Sequence, residues 1–419
     1  GYNSCWEEKP FYTRWPEGRT PRAYTSAKDG RPGTFYSTDA FADYALDFLG
    51  EARKEDQRFF LYLAFNAPHF PLHAPESDIA KYEAMYFEKG WDAIREERLA
   101  RQKELGLVPK DLPLTPRSGV PPKSHAKPSP YAGKGNPPWS ALPEVRRHDL
   151  ARRMAVYAAM VDRLDVAVGR VVNDLKQHGQ LDNTLILFLS DNGACWEWDP
   201  LGFDVSSSPK NILHTDDDLK KVGGPETYIS YGSAWANAGN TPWRLYKHFS
   251  HEGGIRTPLI VHWPAGLGKD AETRRGGEAE KRRNGEAEKR GNGEAEKQRG
   301  EETERRGGGV ADEPGHIIDI MATLVDVAGA QYPKERHGVK IQPMEGRSLA
   351  PLFSASPSLS ASPRLRASAS SSPSASPRLL YWEHEGSRAV RDGKWKLVSL
   401  SGDAWELYDL DADPTQMRN

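Results

Sequence analysis

Cysteine is nearly absent: Cys5 and Cys195 are the only two in 419 residues, and their separation excludes a disulfide framework or a cysteine-rich zinc site. No apolar run approaches the roughly 18 to 20 residues of a membrane span. The opening GYNSCWEEKP has neither a basic nor an apolar leader region. An excess of one charge is missing too. With 57 basic and 59 acidic residues there is no global field to attract nucleic acid or an anionic membrane, so any anion specificity must be local. The chain begins without Met and ends at Met417-Arg418-Asn419 inside a polar phrase, which leads us to expect a fragment of a longer protein. What is plentiful is aromatic: 12 Trp and 16 Tyr in a polar chain, a composition that suits sugar or aromatic ligands.

The stretch Thr184 to Gly193, TLILFLSDNG, organises the rest. Thr184 to Leu189 are apolar or β-branched and predict a central parallel strand covered on both faces. It stops on Ser190, Asp191, Asn192 and Gly193. Ligands of open α/β sheets bind beyond the carboxyl ends of strands, and Asp191 with Asn192 offers hard oxygen donors for calcium or magnesium. Asn-Gly is also a plain turn signal. A second buried strand is predicted at Arg58 to Phe65, RFFLYLAF, running into Asn66-Ala67-Pro68-His69-Phe70-Pro71, where prolines hold His69 extended past a strand end. A third, Leu259 to Trp263, follows Lys247-His248-Phe249-Ser250-His251-Glu252-Gly253-Gly254. There the glycines supply the conformational freedom that brings Lys247 back over a strand end.

Helices are predicted where apolar residues recur at spacings of three and four. These are Ser37 to Lys54, with Phe41, Ala45, Phe48 and Ala52 on one stripe and Ser37 or Thr38 as N-cap; residues 79–106; Met154 to Leu175, with Gly179 at C′; and His316 to Ala330. Residues 1–36, 107–144 and 193–246 read as loops. GEAEK recurs with a period of eight inside 272–309, too short a period for a stacking repeat, so that tract reads as a solvated insertion. Residues 354–377 read as a Ser/Ala/Pro linker. Short strand-like runs at 379–382, 388–390, 395–400 and 405–408 predict a meander. The predicted fold is α/β: a doubly wound, mainly parallel sheet sandwiched by helices over residues 1–353, with a small C-terminal antiparallel subdomain over 378–419.

Together, APHFPLHAP at 67–75, SDNG at 190–193 and K-x4-EGGIRTP at 247–258 resemble the sulfatase family, of arylsulfatase type, within the alkaline phosphatase superfamily. MAVYAAMVDRLD, PLIVHWPAG, HIIDIMATLVDVAGA and RAVRDGKWKLV extend the likeness over nearly all the sequence outside the two biased tracts. The resemblance implies that Asp191 and Asn192 are two ligands of an active-site calcium, in preference to magnesium. It implies that Lys247 grips sulfate oxygens, and that His69 contacts the sulfate and protonates the leaving oxygen. His251 is a further candidate substrate contact. His73, His384, Trp196, Trp198, Trp235 and Trp243 are candidates for setting substrate choice, with core packing the plainer role for the tryptophans.

The implied reaction is hydrolysis of a small-molecule or glycan sulfate ester through formylglycine, which a formylglycine-generating enzyme makes from Cys/Ser-x-Pro-x-Arg. That motif, a pair of metal-binding aspartates and a Lys-x-His segment are missing here. Cys5 in NSCWEEK and Cys195 in GACWEWD lack Pro and Arg at the required spacing. The nucleophile is therefore expected upstream, this polypeptide alone is expected to be inactive, and family habit implies a periplasmic or secreted protein. Two other readings stand beside this one. The first is a non-catalytic relative that binds sulfated glycans; the second is a phosphatase or phosphodiesterase of the same superfamily, whose two-metal sites would need more His and Asp at the strand ends.

Overall fold

The computed structural model describes residues 4–12, 15–120, 131, 133–208, 210–266, 310–311, 313–354 and 378–418. The predicted insertion at 272–309 and, apart from Ser354, the predicted linker at 354–377 lie outside the described residues. In chain order the helices are α1 (Ser37–Lys54), α2 (Glu76–Ile79), α3 (Glu83–Glu104), α4 (Glu144–Gln177), α5 (Asp216–Lys221), α6 (Gly232–Gly239), α7 (Glu252–Ile255), α8 (Ile318–Val327) and α9 (Ala350–Ser354). The strands are β1 (Ile186–Leu189), β2 (Leu259–His262), β3 (Glu335–Arg336), β4 (Val339–Lys340), β5 (Leu379–His384), β6 (Ser387–Asp392), β7 (Trp395–Ser399) and β8 (Glu406–Asp409). Two compact units result: residues 1–178, 192–258 and 377–419 form one, and 179–191 with 259–376 the other.

In the first unit α1 packs on α4. Its buried stripe contains Thr38, Ala42, Ala45 and Leu49, one residue round from the predicted Phe41 and Phe48. Small side chains let the two helices approach, and Phe48 stays 36% exposed beneath the Arg19 guanidinium, 5.1 Å from its ring centroid. Tyr36 holds the N-cap position; Ser37 begins the helix, and its hydroxyl donates to Asn66 Oδ1 at 3.1 Å. The predicted stripe from Met154 is only the second part of α4, which ends as expected with Gly179 in the left-handed region at φ 67°. Leu150, Ala155, Ala159 and Met160 of α4 are buried in one core with Trp91, Trp139 and Trp235.

Arg153 of α4 is fully buried and reaches Asp204 at 2.8 Å and Asp149 at 3.2 Å. It also donates to the carbonyls of Phe203 at 3.2 Å and Ser230 at 3.1 Å. Burial works against its charge, but Asp149 and Asp204 outweigh that and raise its pKa, so the guanidinium clamps this segment to the helix as a cation. The segment predicted as one loop, 193–246, also contains α5 and α6. Trp235 of α6 is fully buried, with its indole N–H donating to Leu150 O at 3.0 Å. Seven of the eight residues of α6 are buried, so it has no polar face and therefore no periodic pattern to betray it.

The C-terminal meander forms as predicted, an antiparallel sheet in the order β5-β6-β7-β8. Buried and partly buried polar pairs tie it to the loop around α7. Lys396 Nζ, fully buried, lies 2.7 Å from Glu252 Oε1, the Arg244 guanidinium donates to the Tyr408 hydroxyl at 2.9 Å, and the Ser250 N–H donates to Ser387 Oγ at 3.0 Å.

In the second unit β1 pairs antiparallel with β2, from Ile186 opposite His262 to Leu189 opposite Leu259. The chain thus leaves this sheet at the edge by which it re-enters. This differs from the predicted parallel, doubly covered strand: no ladder between named strands is parallel, and Phe188 and Ile260 are 43% and 58% exposed. The physical reason is that among the described residues β2 is the only neighbour of β1. The predicted strand Arg58 to Phe65 also forms no ladder among the described residues. Its exposure alternates residue by residue, as an extended chain does, with Phe60 72% and Tyr62 82% exposed.

Replacing Lys396 by Met leaves the Glu252 carboxylate buried without its ammonium. We expect a loss of about 3 kcal/mol in urea unfolding, the lower end for breaking a buried pair, because Arg256 Nη1 stays 3.5 Å from Glu252. Glu252→Gln added to Lys396→Met should restore most of it. An unchanged midpoint in the single variant would show that the pair does not anchor the sheet.

Candidate active site

His69 sits in a turn, not in the extended segment predicted from its flanking prolines. Its backbone N–H donates to the Asn66 carbonyl at 3.0 Å, closing that turn. The ring Nδ1–H donates to the Phe70 carbonyl at 2.8 Å, which assigns the lone pair to Nε2. Nε2 accepts from the Lys247 ammonium at 3.2 Å. Burial lowers the His69 pKa from its ordinary 6.5, and the nearby Lys247 charge adds to this, against the opposing effect of the Phe70 bond. The resting imidazole is neutral at pH 7.

Backbone contacts put Lys247 there. Its N–H donates to the Ala194 carbonyl at 3.1 Å, and the Gly193 N–H donates to the Gly254 carbonyl at 2.9 Å. A Cβ on Gly193 would stand 1.8 Å from the Gly253 oxygen, and one on Gly254 would stand 1.9 Å from the Phe249 oxygen. These glycines permit close backbone approach. Neither Gly253 nor Gly254 has a positive φ, so the conformational freedom expected of them is not what they supply. Asn192 adjoins this junction and belongs to the same unit as His69 and Lys247, whereas Asp191 is the exposed last residue of a segment of the other unit.

Glu197 was not singled out by the sequence, yet it completes the cluster. It is buried, with Oε1 3.6 Å from Lys247 Nζ and 2.8 Å from His248 Nε2; the Cys195 thiol donates to its other oxygen. Burial alone would raise its pKa, but the His248 bond, the Lys247 charge and the Cys195 thiol outweigh burial and hold it down to about 2. Burial and this carboxylate push the Cys195 thiol well above its usual value, which excludes it as a thiolate nucleophile. The only sequence signal for Glu197 is its place between Trp196 and Trp198, where a charge must be buried with a partner.

The other candidates lie elsewhere. The His251 side chain is fully buried with Nε2 2.9 Å from Glu406, so it anchors the C-terminal sheet. His73 is buried too, accepting from the Cys5 N–H at 3.3 Å and donating to the Thr227 carbonyl at 2.6 Å. Trp196 and Trp235 are in the core, Trp243 lies under the Arg256 guanidinium at 4.1 Å, and the Trp198 indole donates to Ser207 Oγ at 3.2 Å. His384 is exposed on the β5–β6 hairpin, its Nε2 3.1 Å from His248 Nδ1.

Residues 1–330 match the sulfatase family. The chain belongs to the sulfatase family. An uncharacterized sulfatase of Schizosaccharomyces pombe is 32% identical over 416 residues, 98% of this chain and 61% of its own length. An arylsulfatase of Klebsiella aerogenes is 35% identical over 235 residues, 56% of this chain and 46% of its own length. A multifunctional alkaline phosphatase superfamily protein of Trinickia caryophylli, PehA, is 27% identical over 180 residues, 42% of this chain and 31% of its own length. This sulfatase-family chain, a member of the alkaline phosphatase superfamily, thus spans about half to three-fifths of the first two relatives.

Two outcomes follow from this geometry. The folded-state pKa values of His69, His73 and His251 are lowered below 6.5, chiefly by burial, so protonation favours the unfolded chain. Stability should be intact above pH 6.5 and fall as the pH drops below it, with a further loss between 4.5 and about 2 as Glu197 is titrated. Chemical denaturation across this range checks it; flat stability from pH 7 to 4 would contradict it. Gly193→Ala should destabilise by more than 2 kcal/mol, beyond the usual mutational mean of about 1, because backbone rather than a flexible side chain must yield. A variant as stable as the parent would refute the close approach.

Proposed function

We propose that the complete protein is a sulfuric ester hydrolase of arylsulfatase type. The observation that carries this reading is the 3.2 Å contact between His69 Nε2 and Lys247 Nζ, the two groups that the family resemblance assigns to the sulfate. Lys247 neutralises charge on the sulfate oxygens, held in place by the Glu197 carboxylate and by its backbone bond to Ala194. A bound sulfate ester offsets the Lys247 charge that lowers the His69 pKa. His69 Nε2 then takes up a proton from solvent more readily and passes it to the departing oxygen, returning to its neutral form.

Asp191 and Asn192 present a carboxylate and a carboxamide oxygen on successive residues, a hard donor set that fits calcium as part of its 6 to 8 ligands. Calcium held there would neutralise charge on the sulfate. We further propose that the nucleophile is formylglycine, made by a formylglycine-generating enzyme in sequence outside these 419 residues. The same reading includes a doubly wound, mainly parallel sheet in the complete protein. The apolar side chains left exposed at Phe60, Tyr62, Phe188 and Ile260 support further layers covering the faces of β1, β2 and residues 58–65, as the faces of a parallel sheet are covered.

In the complete protein matured by a formylglycine-generating enzyme, Lys247→Ala or His69→Ala should lower kcat/KM for an aryl sulfate by about 10² or more. Full activity of Lys247→Ala would overturn the assignment. Turnover by this purified 419-residue chain would overturn the proposed nucleophile.

A further inference from the structure

We propose that His248, His384 and Glu385 form a binding site for a divalent transition metal of the zinc type, separate from Asp191 and Asn192. His248 has a carboxylate at each ring nitrogen: Glu197 Oε1 is 2.8 Å from Nε2 and Glu385 Oε2 is 3.1 Å from Nδ1. Carboxylates only accept hydrogen bonds, and the buried, strongly held Glu197 takes the Nε2–H. The Nδ1 lone pair then faces Glu385, and two acceptors at that distance need a positive centre, either a proton or a metal ion. His384 adds a second imidazole: its Nε2 comes to 3.1 Å from the same Nδ1, so that one ligand atom from each of His248, His384 and Glu385 lies close enough to share a metal ion.

The spacing fits. Zinc–ligand bonds of 2.0 to 2.2 Å in a tetrahedron place donor atoms about 3.3 Å apart, close to the two 3.1 Å separations. The His384 Nε2 to Glu385 Oε1 distance is longer, 3.9 Å, and closes by rotation of an exposed carboxylate. Two imidazole nitrogens and one carboxylate oxygen select zinc, cobalt, nickel or copper over calcium or magnesium. Glu197 stands behind His248 as the outer carboxylate that orients many metal-bound histidines. The backbone agrees with a built arrangement. His248 and Glu385 are non-glycine residues with φ of 79° and 52°, and Glu385-Gly386 forms a two-residue hairpin turn at a position where Asn or Asp is usual. The side chains of His384 and Glu385 are 59% and 37% exposed, which leaves the remaining coordination position open to water or a ligand. Through Glu197 Oε1, which also lies 3.6 Å from Lys247 Nζ, occupancy of this site reaches the proposed sulfate site.

The test uses the chelator-stripped 419-residue chain with excess calcium present to fill any oxygen-donor site, and Co2+ and Zn2+ as probes. We expect one equivalent of Co2+ with the visible spectrum of a tetrahedral nitrogen and oxygen site, displaced by Zn2+. His384→Ala should weaken zinc binding by about 100-fold or more and Glu197→Gln by about 10- to 100-fold; Asp191→Ala should leave it unchanged. In the unmutated chain, Co2+ should broaden the imidazole signals of His248 and His384 and leave that of His178 sharp, a readout that needs no variant to fold. Absence of stoichiometric binding, unchanged affinity in His384→Ala, or broadening that spares His248 would overturn the site.

Discussion

One buried carboxylate oxygen, Oε1 of Glu197, holds the cluster together. It has Lys247 at 3.6 Å and His248 at 2.8 Å, and a charge removed from water is tolerable only with such partners. This anion lies on one side of Lys247, and the ammonium meets His69 at 3.2 Å on the other. The neutral His69 follows from the same arrangement, since burial and the Lys247 charge both disfavour its protonation. In the proposed mechanism, an oxyanion beside Lys247 shifts that balance toward protonated His69.

Position within this cluster is set by backbone. Gly193, Gly253 and Gly254 let the chain on either side of Lys247 pack without intervening side chains. The C-terminal sheet then locks the same loop from outside by way of Lys396 with Glu252 and His251 with Glu406. A sheet distant in sequence thereby supports the lysine, and its β5–β6 hairpin contributes His384 and Glu385 beside His248.

One contact of the candidate site was legible in advance. His69 and Lys247 lie in phrases whose residue types and order are specific, and the fold brings them into contact across 178 positions. His251 sits in one of the same phrases yet faces the C-terminal sheet, where Glu406 meets its Nε2 at 2.9 Å. Glu197 was hidden, as was Arg153, since a buried ion pair depends on which distant partner arrives and leaves no local period. The stripe on α1 was misread by one residue for a related reason: its neighbour, α4, favours small side chains over large ones.

The sequence by itself determined the family, the positions of the long helices and the C-terminal meander, since each rests on local residue order, on a period of 3.6 or 2, or on turn residues. Tertiary structure alone decided the antiparallel direction of β2 against β1, the two helices between Gly193 and Tyr246, and the burial of His251. It also decided the sharing of Glu197 between Lys247 and His248. Strand direction, burial and charge pairing are properties of partners, and a partner far along the chain has no local signature.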